Sequence, residues 1–281
     1  SEMYDIACSF YMNAGANQSS IQITGLSENM GKAMEIVEGL IAGAQPNEEI
    51  LQNLKGDMIK SRADAKLNQS RCFGALQRYM IYGSDFIRRT TLTDPALQGL
   101  TSEQLLAKIG DLMGKQHEVL YYGPQKEAEV KSALAKHHKV AADLQPLEKK
   151  FSALLPTDAN KVVLAQYDAK QLYYLQFSNR GEKFDVAADP EITLYNEYFG
   201  GGMNTIVFQE MREARGLAYS AWATLATPSN ANGDYSYYAF IATQNDKMQK
   251  AVEAFDDIIN NMPESEKAFG IAKEALVSRL R

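Results

Sequence analysis

The sequence predicts an α+β fold of tandem homologous units, each a mostly antiparallel sheet flanked by helices, with both units incomplete. Three observations predict it. Amphipathic helical patterns alternate with short strand patterns along the 281 residues. The stretch MGKAMEIVEGLI at 30–41 returns as MQKAVEAFDDII at 248–259, an offset of 218 residues (30 to 248) with apolar residues at the same positions. The final segment, EKAFGIAKEALVSRLR, is helical in pattern and carries no Gly, Asn or Pro stop signal at its end. We therefore expect a fragment of a longer chain: residues 1–140 as the C-terminal part of one unit, 141–160 as a linker, and 161–281 as the N-terminal and central part of the next.

The elements follow in order. SSIQIT (19–24) and YYAFIA (237–242) read as strands that enter the two related helices. Thr243 and Asp246 have capping-box spacing before the second of these helices. Asn47 and Ser265, again 218 apart, read as N-caps of the helices that follow. Residues 66–90 read as helix. Thr101 and Gln104 cap a helix that Gly114 ends. HEVLYYG (117–123) reads as a strand and 126–137 as a helix. After the linker come strands at 161–168 and 171–178, then a helix opened by Asp189 as N-cap and Pro190 and ended by Gly200. A helix at 204–214 leads to a hairpin of 217–226 with 235–243 around the turn PSNANG.

Composition excludes several functions. Apolar residues at 45% and charged residues at 23% belong to a globular chain, not a disordered one. A net charge of −6 without a Lys/Arg block argues against a nucleic-acid partner. No apolar run reaches the roughly 18 residues of a transmembrane helix. The two cysteines, Cys8 and Cys72, lack CxxC spacing, which rules out a zinc ribbon; they read as buried free thiols. The opening SEMYDIACSFYMNAG has no basic region before an apolar core, so it does not read as a signal peptide, and the compartment stays open.

Candidate chemistry is sparse. The three histidines, His117, His137 and His138, lie in neither HExxH nor HxxEH and read as surface residues near a helix end. No GxSxG elbow is present. Gly200, Gly201 and Gly202 match neither phosphate-binding pattern, so a helix C-cap with a turn is the better reading. Arg212 and Tyr219 flank a helix-to-strand corner. Read as bare residues, they suit a dipole partner and a packing ring as well as a binding pair.

The run YFGGGMNTIVFQEMREARGLAYSAWATL (198–225) resembles the non-catalytic-domain signature of the insulinase/pitrilysin family of zinc metallopeptidases, the inverzincins. Residues 161–281 resemble most of one family domain and 1–140 the back half of the preceding one. The resemblance implies homologous α+β domains paired around a peptide-holding chamber. It implies catalytic zinc in a missing N-terminal part of the parent chain, because HxxEH is absent here; no cofactor is expected in the fragment itself. By resemblance, Tyr219 donates a hydrogen bond to the scissile carbonyl as charge develops, and Arg212 anchors substrate backbone or a carboxylate. Gly200, Gly201 and Gly202 match a mobile loop that approaches substrate, and the strand at 217–226 lines the chamber, with its partner strands offering an edge to an extended peptide. NTIVF (204–208) departs from the polar and basic residues common there, so no peptide contact is carried over to it.

The expected partners are a peptide substrate and the N-terminal half of the parent chain, with self-association through exposed sheet edges as a further expectation. Two other functions fit the same residues: a structural or assembly protein of this fold that has lost catalysis, and a stand-alone peptide-binding module.

Overall fold

A computed structural model of the chain describes residues 2–15, 18–147 and 153–281. It is α+β, with antiparallel sheets and helices. Two compact units form, Ser1–Ala63 with Arg89–Ser152, and Asp64–Arg88 with Ala153–Arg281. Residues 148–152 of the predicted linker lie outside the described residues.

The first unit holds α1 (Glu2–Asp5), the hairpin β1 (Cys8–Ala14) and β2 (Ser19–Gly25), α2 (Met30–Ala42) and most of α3 (Glu48–Lys66). After α4 (Gln69–Thr90), which lies almost wholly in the second unit, come α5 (Asp94–Gln98), α6 (Ser102–Met113) and α7 (Glu127–His137). One face of α2 buries Ala33 and Val37 against Met3 and Cys8, the face its 3.6-residue apolar period dictates. Cys8 sits opposite Gly25, where a Cβ would lie 2.3 Å from the Cys8 sulfur. Only glycine fits there, because the strands close directly over the thiol.

Predicted caps form where side chains had orphan amides to satisfy. Asn47 Oδ1 accepts from Ile50 N at 2.9 Å. Thr101 and Gln104 make the reciprocal capping box, and Gly114 ends α6. α3 clamps its neighbours with two charges. Glu48 Oε1 accepts from the Ser102 amide at 2.6 Å and its hydroxyl at 2.8 Å, at the start of α6. The bond from that amide, then the hydroxyl, holds the Glu48 carboxyl below its ordinary range. Lys55, 3% exposed, donates to Gln98 O at 3.0 Å and Leu100 O at 2.6 Å, where α5 ends. Both charges complement the helix ends they meet. Lys55→Met keeps the aliphatic stem but leaves two carbonyls unpaired. It is expected to lower stability by about 1–3 kcal/mol, read as a drop in the urea midpoint at constant slope.

In the second unit, β3 (Gln171–Ser178) precedes α8 (Asp189–Tyr195) and α9 (Ile206–Phe208). Then come β4 (Ser220–Ala226), β5 (Ser236–Gln244), α10 (Met248–Asn260) and α11 (Glu266–Arg279). The sheet runs β3–β5–β4, antiparallel throughout. Strand alternation sends Ala221, Ala223, Ala239 and Ile241 to one face, where they join Phe199, Val207, Met211, Phe255 and Ile258 in the core. The opposite face carries Tyr173, Phe240 and Trp222. Phe73 of α4 covers it, with ring centroids 5.5 Å from Tyr173 and 5.8 Å from Phe240. Thus α4 packs with strands far along the chain. Gly83, at φ 78°, interrupts its helical path.

Several sequence expectations differ from the structure. Residues 117–123 and 161–168 form no strands among the described residues. Leu120 and Tyr122 are exposed there, as are Val162 and Leu164. Strand propensity becomes a strand only when a neighbouring edge accepts the hydrogen bonds. Thr243 does not cap α10. It lies in β5 and its hydroxyl donates to Leu217 O at 2.6 Å, a tertiary partner that wins over the local amide. Asp189 is the first residue of α8 rather than its cap, and its carboxylate accepts from the Thr227 hydroxyl at 3.3 Å. Ser265 caps α11 as expected, its side chain accepting from Ala268 N.

Candidate functional site

The stretch from Asn196 to Ser220 is built on buried anchors. After α8 the helix widens into a π-helical turn at Asn196–Gly200, and Phe199 is 1% exposed. The chain then turns through Gly201 and Gly202. Thr205 closes that turn, its hydroxyl donating to Gly202 O at 2.7 Å and its amide to the same oxygen at 3.1 Å. Gln209 Nε2 donates to Met203 O at 2.6 Å. α9 follows and widens into a second π-helical turn at Gln209–Ala214. Ile206, Val207 and Met211 bury one side of this helical segment.

The corner after it is tight. Gly216 takes φ 57°, a left-handed value suited to glycine at a helix end. Met211 O then accepts from both Leu217 N at 2.9 Å and Ala218 N at 3.2 Å. Tyr219 N donates to Ala242 O at 2.8 Å, joining the chain to β5. Because Met211 is fully buried, Arg212 beside it turns outward.

This corner brings Arg212 and Tyr219 together. The guanidinium lies 5.5 Å from the Tyr219 ring centroid and 5.0 Å from that of Phe208, within cation–π range of both. Phe208 was not singled out from sequence; its signal is the i,i+4 spacing to Arg212. Arg212 also lies 3.7 Å from the carboxylate of its neighbour Glu213. Arg215, by contrast, is tied to Glu210 at 3.4 Å and Asp257 at 3.5 Å. Tyr219 is 69% exposed, and among the described residues its hydroxyl makes no hydrogen bond. The pair therefore presents one planar, multidentate cation and one phenol donor to solvent, a combination suited to carbonyl and carboxylate oxygens.

The three glycines are not equivalent. Gly200 is buried, and a Cβ on it would lie 2.1 Å from Ala223 O of β4. Gly201 and Gly202 are exposed, with open space or only ordinary contact around them. Asn196, which carried no sequence signal, reaches the same strand. Its Nδ2 donates to Leu225 O at 2.9 Å and its Oδ1 accepts from Leu225 N at 2.8 Å. The side chain imitates a neighbouring strand and covers that part of the β4 edge. A peptide adding to β4 there would have to displace Asn196.

Among the described residues, no group of three or more His, Cys, Asp or Glu side chains is placed to hold a metal ion. No helix among them is long and apolar enough to cross a membrane.

With this geometry in hand, the chain can be compared with known proteins. The profile of the family described as Peptidase M16 inactive domain matches residues 99–276. No curated protein matches the sequence. Among solved structures, the peptidase M16 inactive domain from Pseudomonas fluorescens is similar at TM-score 0.75 and 16% identity, covering 98% of this chain and 67% of that one. The periplasmic protease PqqL from Escherichia coli gives TM-score 0.75 at 14% identity, over 99% of this chain and 31% of PqqL. The ferredoxin protease FusC, a mutant in complex with Arabidopsis ferredoxin, gives 0.76 at 9% identity, over 99% of this chain and 30% of FusC. At such identities the likeness shows the fold, and the chain spans about a third of each of the two proteases. The profile match extends over more than half of the chain, and the chain belongs to the peptidase M16 (insulinase) family, as one of its inactive domains.

Proposed function

We propose that the chain is the non-catalytic, substrate-binding portion of a zinc-dependent endopeptidase that cleaves peptides or small proteins in an enclosed chamber. The observation that carries this reading is the Arg212–Tyr219 pair, stacked together and exposed at a corner held by buried Met211. The Tyr219 hydroxyl makes no hydrogen bond among the described residues, and the Arg212 guanidinium, though packed on two rings and 3.7 Å from Glu213, faces solvent. In this reading Arg212 anchors a substrate carbonyl or carboxylate. The Tyr219 hydroxyl donates to the scissile carbonyl oxygen as it gains charge. Gly201 and Gly202 form the adaptable part of the substrate loop, and Gly200 anchors that loop to β4. In this reading zinc belongs to the N-terminal half of the parent; among the described residues no ligand set is placed to hold it.

The tandem-unit reading is part of the proposal. It rests on the same succession of strand, 3-10 turn and helix at β2–α2 and at β5–α10. The β1–β2 hairpin supports a missing partner. Tyr11, Met12 and Ile21 are exposed on it, and a two-stranded hairpin is marginal alone in water. The N-terminal half of the parent is the expected cover. Without it, light scattering is expected to show concentration-dependent self-association, which Tyr11→Lys weakens; a monomer at all concentrations argues against an exposed docking face there.

Titrating the isotope-labelled chain with extended peptides tests the substrate reading. Amide shifts are expected to change at Gly201, Gly202, Arg212 and Tyr219, and to vanish in Arg212→Ala. Peptides that perturb no residue of 200–220 would move the assignment to a structural or assembly protein of this fold.

A further inference from the structure

The corner that presents Tyr219 is held by its backbone. Its amides are met within the segment and by β5. Gly216 N donates to Arg212 O at 3.2 Å, Leu217 N and Ala218 N share Met211 O, and Tyr219 N donates to Ala242 O at 2.8 Å. Two of its carbonyls are met by side chains. Gly216 O accepts from Lys247 Nζ at 3.3 Å, and Leu217 O accepts from the Thr243 hydroxyl at 2.6 Å. The lysine reaches in on a flexible four-carbon stem. Thr243 is 2% exposed in β5, and its β-branch restricts the hydroxyl to few rotamers.

The same corner breaks the ladder of the sheet. Leu225 turns its amide and carbonyl outward to Asn196. Backbone groups alternate along a strand, so Ser220, an odd number of residues away, turns its own toward β5, where it pairs with Ala242. Yet Tyr219 N also donates to Ala242 O. Two successive residues therefore oppose one, which makes a β-bulge.

The bulge changes where the tyrosine points. In an unbroken strand Tyr219 would share the face of Ala221 and Ala223, which lies in the core. Instead it is exposed, with its ring against Arg212. An unbroken ladder would also set Thr243 opposite Tyr219. With the bulge, the Thr243 hydroxyl meets Leu217 O, on the far side of Ala218. The bulge is thus pinned at both ends, by Ala242 O at Tyr219 N and by Thr243 at Leu217 O.

We propose that Thr243 is a positioning residue for Tyr219: its buried hydroxyl locks the bulge that turns the phenol out of the core face and onto the Arg212 guanidinium. The proposal rests on the substrate-binding reading of the Arg212–Tyr219 pair and adds to it a residue that touches no substrate. A phenol serves a developing oxyanion best when it already lies where the charge appears. The Tyr219 hydroxyl has no hydrogen bond among the described residues to hold it there, so its aim is set by its backbone and by the Arg212 contact. Valine in place of Thr243 keeps the shape but leaves Leu217 O without its partner, a loss the carbonyl relieves only by turning. The peptide planes on either side of Ala218 turn with it, and Tyr219 follows.

Kinetics of the full-length parent chain carrying Thr243→Val, Tyr219→Phe or both test this. Thr243→Val is expected to lower kcat by about 10-fold or more, as misplacing a catalytic contact does, with KM nearly unchanged. Thr243→Ser, which keeps the hydroxyl, should restore kcat. Added to Tyr219→Phe, Thr243→Val should cost nothing further, because the group it aims is gone. Amide exchange reads the same lock without turnover. In Thr243→Val the Tyr219 amide should lose protection by about 10-fold or more relative to Ala239 in the middle of β5.

An equal fall in kcat in both backgrounds, or Thr243→Ser as impaired as Thr243→Val, would make Thr243 an ordinary packing residue and overturn the proposal. So would a wild-type kcat in Thr243→Val beside a large loss in Tyr219→Phe. If Tyr219→Phe itself leaves kcat unchanged, the reading of the pair fails and the role of Thr243 falls with it. Should Thr243→Val not fold, Thr243→Ala removes the hydroxyl without adding a methyl and carries the same comparison.

Discussion

On the proposed function, Tyr219→Phe in the full-length parent chain is expected to lower kcat by about 10²- to 10³-fold, the scale of losing one oxyanion-hole donor. The substitution removes a single oxygen. The ring stays, and with it the stack against Arg212, whose guanidinium lies 5.5 Å from the ring centroid. Because Tyr219 is 69% exposed and bonds to the fold through its backbone amide, stability should hardly change. A donor that acts mainly on developing charge lowers kcat with little effect on KM. Arg212→Lys should show the opposite split. Lysine keeps a charge but loses the planar fork that holds a carboxylate through two bonds, so KM should rise more than kcat falls. Zinc content should be unchanged in both variants. Turnover of Tyr219→Phe within about twofold of wild type, on an assay limited by chemistry, would sink the assigned role. Bound zinc and turnover both absent from the parent would favour the structural reading, with the pair a relic.

The glycine run offers the second large effect. Gly200→Ala is expected to destabilise the chain by about 1–3 kcal/mol or more, because overpacking against backbone cannot be relieved by a rotamer change. The new methyl would start 2.1 Å from Ala223 O, and Ala223 is 1% exposed in the central core. Either β4 or the π-helical turn must move, which strains the two hydrogen bonds between Asn196 and Leu225. Gly201→Ala, with nothing within 4 Å of its added Cβ, should stay within about 0.5 kcal/mol of wild type. Urea unfolding of the two variants measures this directly. Equal midpoints would show that the loop yields at Gly200, and that its closeness to β4 does not constrain the site.

What was legible in the sequence was whatever depends on local pattern. Apolar residues every three or four positions specified α2 and α10. Asn47, Thr101 and Ser265 marked helix starts because each side chain serves amides two or three residues away. The turn chemistry of PSNANG between 217–226 and 235–243 led to the hairpin of β4 and β5. The glycine–arginine segment was legible as a resemblance, and the profile match then showed the family.

Relations between distant residues were decided only by the tertiary structure. Nothing near Thr243 foretold that its hydroxyl would serve Leu217 O. The strand patterns at 117–123 and 161–168 could not reveal that no edge among the described residues would receive them. Three adjacent glycines look alike in one dimension, yet only Gly200 meets a strand. The stacking of Arg212 on Phe208 and Tyr219, the cover that Asn196 gives β4, and the meeting of His117 with His138 likewise depend on where the backbone returns. Periodicity and capping act within a turn or two of the chain, so the sequence by itself determined the elements. Contacts between elements depend on which surfaces the fold brings within bonding distance, so only the tertiary structure decided the site.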